Sequence, residues 1–388
     1  MNSNQRAWKL IRNGIRYRRL KSGGKPYRLE AISLEITHRC ICKCSMCNIW
    51  KIPANVPDLD LSDWLALLSS PELRHLRELD LTGGEPFLRT DLGELLQLIC
   101  DLQPTNFPGL RTLSITTNGI LTGKVLEITR RIIGQLQYRG IDLVLACGMD
   151  AVGELHDRIR NFRGAWENLQ KTLEELYHLR TIHPNLVLGI KTTVVPQNAR
   201  ALARISEYAE RNNLFTIISP CIITTNRFGN ADREIDLKFS SEELDAIIRF
   251  YENPGVTWNG HREALLGYLK SGRINKPCSA GYNTIFVRHN GEVFCCPVLP
   301  VSLGNIKDQT LSELFRSTTA DRFRKMAGNY PECSTCTEPG MERIAWPFEG
   351  FAFLRLMAGM GRIDADHLVL QMGLDKYLQC GANSGETS

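Results

Sequence analysis

The 388-residue sequence predicts an α/β protein built on a parallel sheet, with a small α+β region behind it and a helical tail. Three features lead there. Between Leu29 and about residue 225, short apolar runs alternate with stretches of helical period, as in parallel βαβ units covered on both faces. Beyond that point the alternation stops, and a hairpin-like segment flanked by cysteines takes over. From Ile344 the chain is apolar and aromatic to Met360, then helix-like to Leu378, which predicts a tail folded back on the body.

Taken in order, residues 1–29 form a basic arm, with nine Lys or Arg and no acidic residue before Glu30; the remainder carries 38 basic against 42 acidic residues. Only Trp8, Tyr17 and Tyr27 are available there to stack on bases. The arm therefore reads as a solvated helix whose Trp8, Leu10, Ile11 and Ile15 pack on the body, and no stable nucleic-acid partner is expected. Residues 30–225 hold strands expected at Ala31–Thr37, Glu78–Thr82, Thr112–Thr116, Leu143–Cys147, Leu186–Val195 and Thr216–Ile223. Helices are expected at Asp63–Ser69, Asp91–Leu102, Val125–Tyr138, Ala165–Leu179 and Ala199–Asn212, with Ser62, Thr90 and Asn198 in N-cap positions. Residues 226–343 open with a helix over Ser240–Glu252 and contain a hairpin, Thr284–Phe294, turning at Asn290–Gly291. Residues 344–388 are the tail.

With 43% apolar and 23% charged residues, the chain is neither disordered nor fibrous. No run of eighteen apolar residues occurs, so a transmembrane segment is excluded, and Met1–Arg28 lacks the apolar stretch of a signal peptide. A cytoplasmic chain is expected. Its thirteen cysteines are clustered rather than spread, and clustered thiols in a reducing compartment point to metal binding or catalysis.

The first cluster follows the first strand: Thr37-His38-Arg39-Cys40-Ile41-Cys42-Lys43-Cys44-Ser45-Met46-Cys47. Cys40, Cys44 and Cys47 give C-x3-C-x2-C, which can hold three irons of a cubane and leave the fourth open. A zinc site using Cys42 or His38 as well is the alternative, disfavoured by such close spacing. The next strand ends in Gly83-Gly84-Glu85-Pro86, where glycines allow close backbone approach and a carboxylate suits an ammonium. Later strands end in Thr116-Thr117-Asn118-Gly119, in Gly148-Met149-Asp150 followed by His156-Asp157-Arg158-Ile159-Arg160, and in Thr193-Val194-Val195 with Asn198 beyond. A second group, Cys278, Gly291, Cys296 and then Cys333-x2-Cys336, offers two thiolate pairs that could bind a 4Fe–4S cluster or structural zinc.

Together these motifs resemble the radical S-adenosylmethionine (SAM) superfamily with a SPASM- or twitch-type auxiliary domain, over about residues 30–340. The resemblance implies a partial (βα)6 barrel over 30–225, an auxiliary domain over 226–343, and a SAM-binding 4Fe–4S cluster on Cys40, Cys44 and Cys47. SAM would contact Met46, Gly83, Gly84, Glu85, Thr117, Asn118, Asp150, Arg160 and Asn198. Gly148 and Met149 stand where the family usually has Ser and Leu. A second 4Fe–4S cluster would sit on Cys278, Cys296, Cys333 and Cys336, in the shortened form with one auxiliary cluster, Cys295 being a possible substitute ligand. Cys100, Cys147, Cys221 and Cys380 read as apolar fillers.

The implied chemistry is reductive cleavage of SAM to a 5′-deoxyadenosyl radical that abstracts hydrogen from an unactivated carbon, with electrons from a reductant such as flavodoxin or ferredoxin. The implied outcome is an oxidation or rearrangement; no catalytic side chain is assigned. Because the first strand begins about thirty residues into the chain, a small-molecule substrate (a sugar, a nucleotide-linked compound or an alcohol) is favoured, with a ribosomally made peptide second. The alternative of another class is a zinc-stabilised nucleic-acid-binding protein.

Overall fold

The computed structural model describes residues 3–253, 259–359, 366, 368–370 and 372–378. A long helix α1 (Ser3–Gly23) leads into six βα repeats: β1 (Ala31–Thr37), α2 (Leu61–Leu68), β2 (Glu78–Gly83), α3 (Leu92–Asn106), β3 (Thr112–Thr117), α4 (Thr122–Tyr138), β4 (Asp142–Gly148), α5 (Glu154–Arg160), α6 (Ala165–Ile182), β5 (Leu186–Val194), α7 (Leu202–Arg211) and β6 (Phe215–Pro220). Then come α8 (Ser241–Glu252), α9 (Asn259–Ser271), β7 (Thr284–Val287), β8 (Glu292–Phe294), β9 (Ser302–Asn305), α10 (Leu311–Phe315), α11 (Thr318–Met326), α12 (Pro339–Glu349) and α13 (Phe351–Ala358).

The nine strands of the described residues share one sheet, ordered β6-β5-β4-β3-β2-β1-β7-β8-β9. Strands β1 to β6 are parallel, and β7 lies parallel to β1 with Ala31 opposite Thr284 and Leu34 opposite Val287. The β7–β8 hairpin is antiparallel and turns at Gly291 (φ +91°), where a Cβ would come within 2.5 Å of Asn305. The sheet therefore runs without a break from the barrel into the hairpin that bears Cys296. On its helical side Leu34, Leu81, Ile115, Leu145 and Ile190 are all but inaccessible, packed against α2, α3, α4 and α6.

Several local expectations change. Asp60, not Ser62, caps α2, through a reciprocal capping box with Asp63. Asp91, not Thr90, precedes α3, and Ala201, not Asn198, precedes α7. A short helix, α5, intervenes after β4 where no separate helix is expected, and β6 stops at Pro220 rather than Ile223. In α1, Leu10 is fully buried among Trp346, Phe353 and Leu374, but Trp8 and Ile15 point outward at 71% and 45% exposure. The tail does fold back: α12 and α13 pack on α1, and Tyr377 donates to Glu78 at the start of β2. No helix among the described residues is long and apolar enough to cross a membrane. Cys380 lies outside the described residues.

Candidate metal and cofactor site

The expected site residues of the barrel lie at or beyond the C-terminal ends of β1 to β5, with Gly83 and Thr117 closing their strands and Arg160 closing α5. The cysteine loop leaves β1 and is held from two sides. Lys43 and Ser45 donate their amides to the carbonyls of Arg160 (3.2 Å) and Ile159 (2.9 Å) at the end of α5. From the loop after β6, Asn230 donates to the Met46 carbonyl at 2.9 Å and Arg233 to that of Ser45. Sequence reasoning missed this clasp; Asn230, fully buried though polar, is its centre.

Gly83 and Gly84 owe their identity to this loop. A Cβ on either would lie 2.2 Å from a carbonyl oxygen, that of Thr37 for Gly83 and of Arg39 for Gly84. The backbone amides of Gly84 and Glu85 continue the contact, donating to the carbonyls of Thr37 and Arg39, both at 2.8 Å. The Glu85 side chain is buried, and burial raises its pKa. It accepts from Phe87 N (3.1 Å), Thr117 Oγ1 (2.8 Å) and Asn118 N (2.7 Å), filling three of a carboxylate's roughly four acceptor sites. Glu85 thus ties the ends of β2 and β3 together. Asn118 in turn aims its amide at the Cys42 sulfur, 3.6 Å away.

Asp150 and Arg160 meet as a buried ion pair, Oδ2 to Nε at 2.8 Å, while Asp150 Oδ1 accepts from Thr193 N. Gly148 explains how Arg160 fits. A Cβ at 148 would lie 2.3 Å from the guanidinium, so the residue standing in place of the usual Ser leaves room for a charge. Asn198 is completely enclosed and links the carbonyls of Asp150 and Thr193 to Val195 N. His156 is buried and accepts from Asp150 N, and Asp157 accepts the amides of Gly164 and Trp166 at the start of α6.

Among the thiols, hydrogen bonding from Cys42 lowers the pKa of Cys40 and, with the Arg160 charge nearby, brings Cys44 to about 7 against the effect of burial. Burial pushes Cys47 up to about 12. Cys42 itself is raised by these same hydrogen bonds: it is the proton donor of the trio. Around them Met46, Ile120, Ala151, Ile159 and Val195 form an apolar nest. His38 turns away from the thiols. Its Nδ1 lies 2.9 Å from Asp58, which also accepts from Thr37 Oγ1 and lies 3.2 Å from His289 Nδ1 in the β7–β8 turn.

The second cysteine group gathers Cys278, Cys296, Cys333 and Cys336: the charges of Cys336 and Cys333 raise Cys278, those of Cys278 and Cys336 raise Cys296, and that of Cys336 raises Cys333. Burial raises all four thiols, Cys278 to about 12, so thiolates here need cationic partners. Lys276, close to Cys336, supplies one. Cys295 points the other way, against Gly281 and Arg324. Both groups are all-thiolate donor sets, the ligand type that holds iron–sulfur clusters.

The family model of the radical SAM superfamily matches residues 34–196, and that of the SPASM iron–sulfur cluster-binding domain matches residues 278–337. The chain belongs to the radical SAM superfamily. Its radical SAM domain brings a 4Fe–4S cluster and SAM, and its SPASM domain brings auxiliary iron–sulfur binding. The chain is 24% identical over 346 residues to the AdoMet-dependent heme synthase of Oleidesulfovibrio alaskensis, covering 82% of each protein. It is 29% identical over 322 residues to the PqqA peptide cyclase of Xanthomonas euvesicatoria, covering 79% of each. Among solved structures, anSMEcpe with bound AdoMet superposes with a TM-score of 0.56 at 18% identity, over 85% of this chain and 98% of that one. Streptococcus suis SuiB bound to S-adenosylmethionine gives 0.55 at 14% identity, over 79% of this chain and 70% of that one. These likenesses establish the radical SAM fold.

Proposed function

We propose that this radical SAM enzyme modifies a peptide, cleaving SAM at a cluster held by Cys40, Cys44 and Cys47. The observation that carries the reading is the convergence of three strand ends on one loop: the glycines of β2, the Thr117–Asn118 end of β3 and the Asp150–Arg160 pair after β4 all meet the cysteine loop. When bound, the reduced cluster and SAM supply one-electron, hydrogen-abstracting chemistry. The chain's share is to hold, orient and enclose. Met46 and its apolar neighbours exclude water, and the backbone around Gly83 and Gly84 offers a close approach for the SAM amino acid. Asp150 holds Arg160 beside the thiols, where a guanidinium balances the negative charge of thiolates or a carboxylate. Glu85 and Asn198 brace the strand ends from behind.

In the SPASM domain, Cys278, Cys296, Cys333 and Cys336 would hold one auxiliary cluster. The units we propose are the arm (1–29), the barrel (30–225), the auxiliary domain (226–343) and the tail (344–388). A flavodoxin or ferredoxin would supply electrons. The peptide substrate replaces the small molecule favoured from sequence. It is supported by relatives named PqqA peptide cyclase and, in Bacillus subtilis, the subtilosin biosynthesis protein AlbA, and by the SuiB structure with its precursor peptide SuiA. The AdoMet-dependent heme synthases among the relatives favour a second reading, a small-molecule substrate.

Anaerobic reconstitution tests the core of this. The reconstituted protein should form 5′-deoxyadenosine and methionine from SAM when reduced. The triple change Cys40→Ala, Cys44→Ala and Cys47→Ala should abolish this and leave about half of the iron. Complete loss of iron in that variant would refute the division of ligands.

A further inference from the structure

The concave side of the sheet encloses a cavity of about 1320 Å³ whose lining includes Ser33, Asp80, Ser114, Lys191, Arg227 and Glu338. Lys191 is the lumen-facing residue of β5 two places before Thr193, paired across the sheet with Gly148 and Ile217. The Thr193 amide in turn donates to Asp150. Arg227 reaches the same cavity from the loop after β6, its guanidinium over the rings of Phe228 and Phe286 at 5.2 and 5.0 Å.

These two cations stand out by their lack of partners. Arg160, Arg324, Lys276 and Arg343 each have a carboxylate, on Asp150, Asp321, Glu342 and Glu78. Lys191 and Arg227 have neither a carboxylate partner nor a side-chain hydrogen bond among the described residues. The carboxylates nearest to hand are engaged. Asp80 accepts hydroxyls from Ser33 and Ser114, both at 2.7 Å, and Glu338 accepts the first amides of α12 from Gly340 and Met341. Burial, and then the charge of Arg227, pull the Lys191 pKa down, and the carboxylates of Asp80 and Glu338 offset this only in part. A half-enclosed pair of like charges is costly unless an anion joins it.

We propose that Lys191 and Arg227 together grip a carboxylate of the substrate. A monoanion suits the pair better than a phosphate dianion, because Asp80 and Glu338 already border the cavity. This deepens the proposed function and rests on it, taking the cavity as the place where the substrate binds. On the peptide reading, the carboxylate belongs to an Asp or Glu side chain at or beside the modified residue.

The test measures binding without turnover, on reconstituted enzyme with SAM and no reductant. The probes are acetyl-Ala-Glu-Ala-amide, its Gln counterpart, glutarate and inorganic phosphate. The Glu peptide should bind at least tenfold more tightly than the Gln peptide, and both Lys191→Gln and Arg227→Gln should erase that preference while iron content and circular dichroism stay unchanged. Glutarate binding that needs both cations, with no binding of the Glu peptide, would uphold the carboxylate site and count against a peptide substrate. Equal affinity for the two peptides, a preference that survives both substitutions, no binding of either carboxylate, or phosphate outcompeting glutarate would each overturn the inference. Because SAM cleavage is assayed separately, its failure and the failure of this site are distinguishable.

Discussion

Residue 148 shows how one missing side chain organises a site. A Ser there would bring its Cβ into the Arg160 guanidinium, displacing it from Asp150. Gly148→Ser is expected to destabilise the protein by about 1–3 kcal/mol, the usual range for overpacking, and to weaken SAM binding, as read by denaturant midpoints and equilibrium dialysis. His156 offers a pH test. Burial, with Arg160 nearby, lowers it to about 3 in the folded state against about 6.5 unfolded. A depressed pKa contributes stability that is complete above pH 6.5 and falls away as pH drops towards 3, at up to about 1.4 kcal/mol per unit. His156→Gln should flatten that part of the stability profile relative to wild type; identical slopes between pH 6.5 and 4 would rule the explanation out. The cysteine spacing and the Gly-Gly-Glu-Pro turn were legible as residues in the sequence. The inward turn of Glu85 and the accommodation of Arg160 by Gly148 were not, because both depend on contacts between chain segments.

At the scale of elements, the helix periods and strand runs were readable because burial imposes them locally. Caps were read less well: Ser62 and Thr90 are good cap residues, but Asp60 and Asp91 lie where the chain turns into α2 and α3. The β7–β8 hairpin was legible from Asn290–Gly291, whereas its attachment was not. His289 in that turn meets Asp58, from the segment before α2, and Asp58 also holds His38 and Thr37. Burial would raise the Asp58 pKa, but donors from His289, Thr37 and His38 outweigh it and keep the carboxylate below its ordinary range. Its contribution is therefore complete above about pH 4 and lost only as pH falls through the folded value. Asp58→Ala is expected to cost about 1–3 kcal/mol at pH 7 by leaving buried donors unmatched, with faster amide exchange in residues 284–294 as the local readout. In α1, Leu10→Ala should cost about 2–5 kcal/mol, whereas Trp8→Ala, on the outward face, should change unfolding midpoints by less than about 0.5 kcal/mol.

For the whole molecule, the charge asymmetry readable in the sequence proved to belong to a packed helix: Tyr17 of α1 donates to the carbonyl of Cys278 and stacks edge-on with Tyr282 and Phe348. The sequence divides naturally at residue 225 because its pattern changes there. The fold carries the sheet across that boundary through β1 and β7, a pairing of segments some 250 residues apart that no local pattern announces. Barrel and hairpin should accordingly unfold in one transition, followed together by near-UV circular dichroism and amide exchange; two separated transitions would contradict the shared sheet. This β1–β7 ladder also works as a ruler. One cysteine loop leaves the far end of β1, and Cys296 lies just past β8, which pairs with β7. Their spacing is set by backbone hydrogen bonds through the β1–β7 and β7–β8 ladders, with no hinge between them.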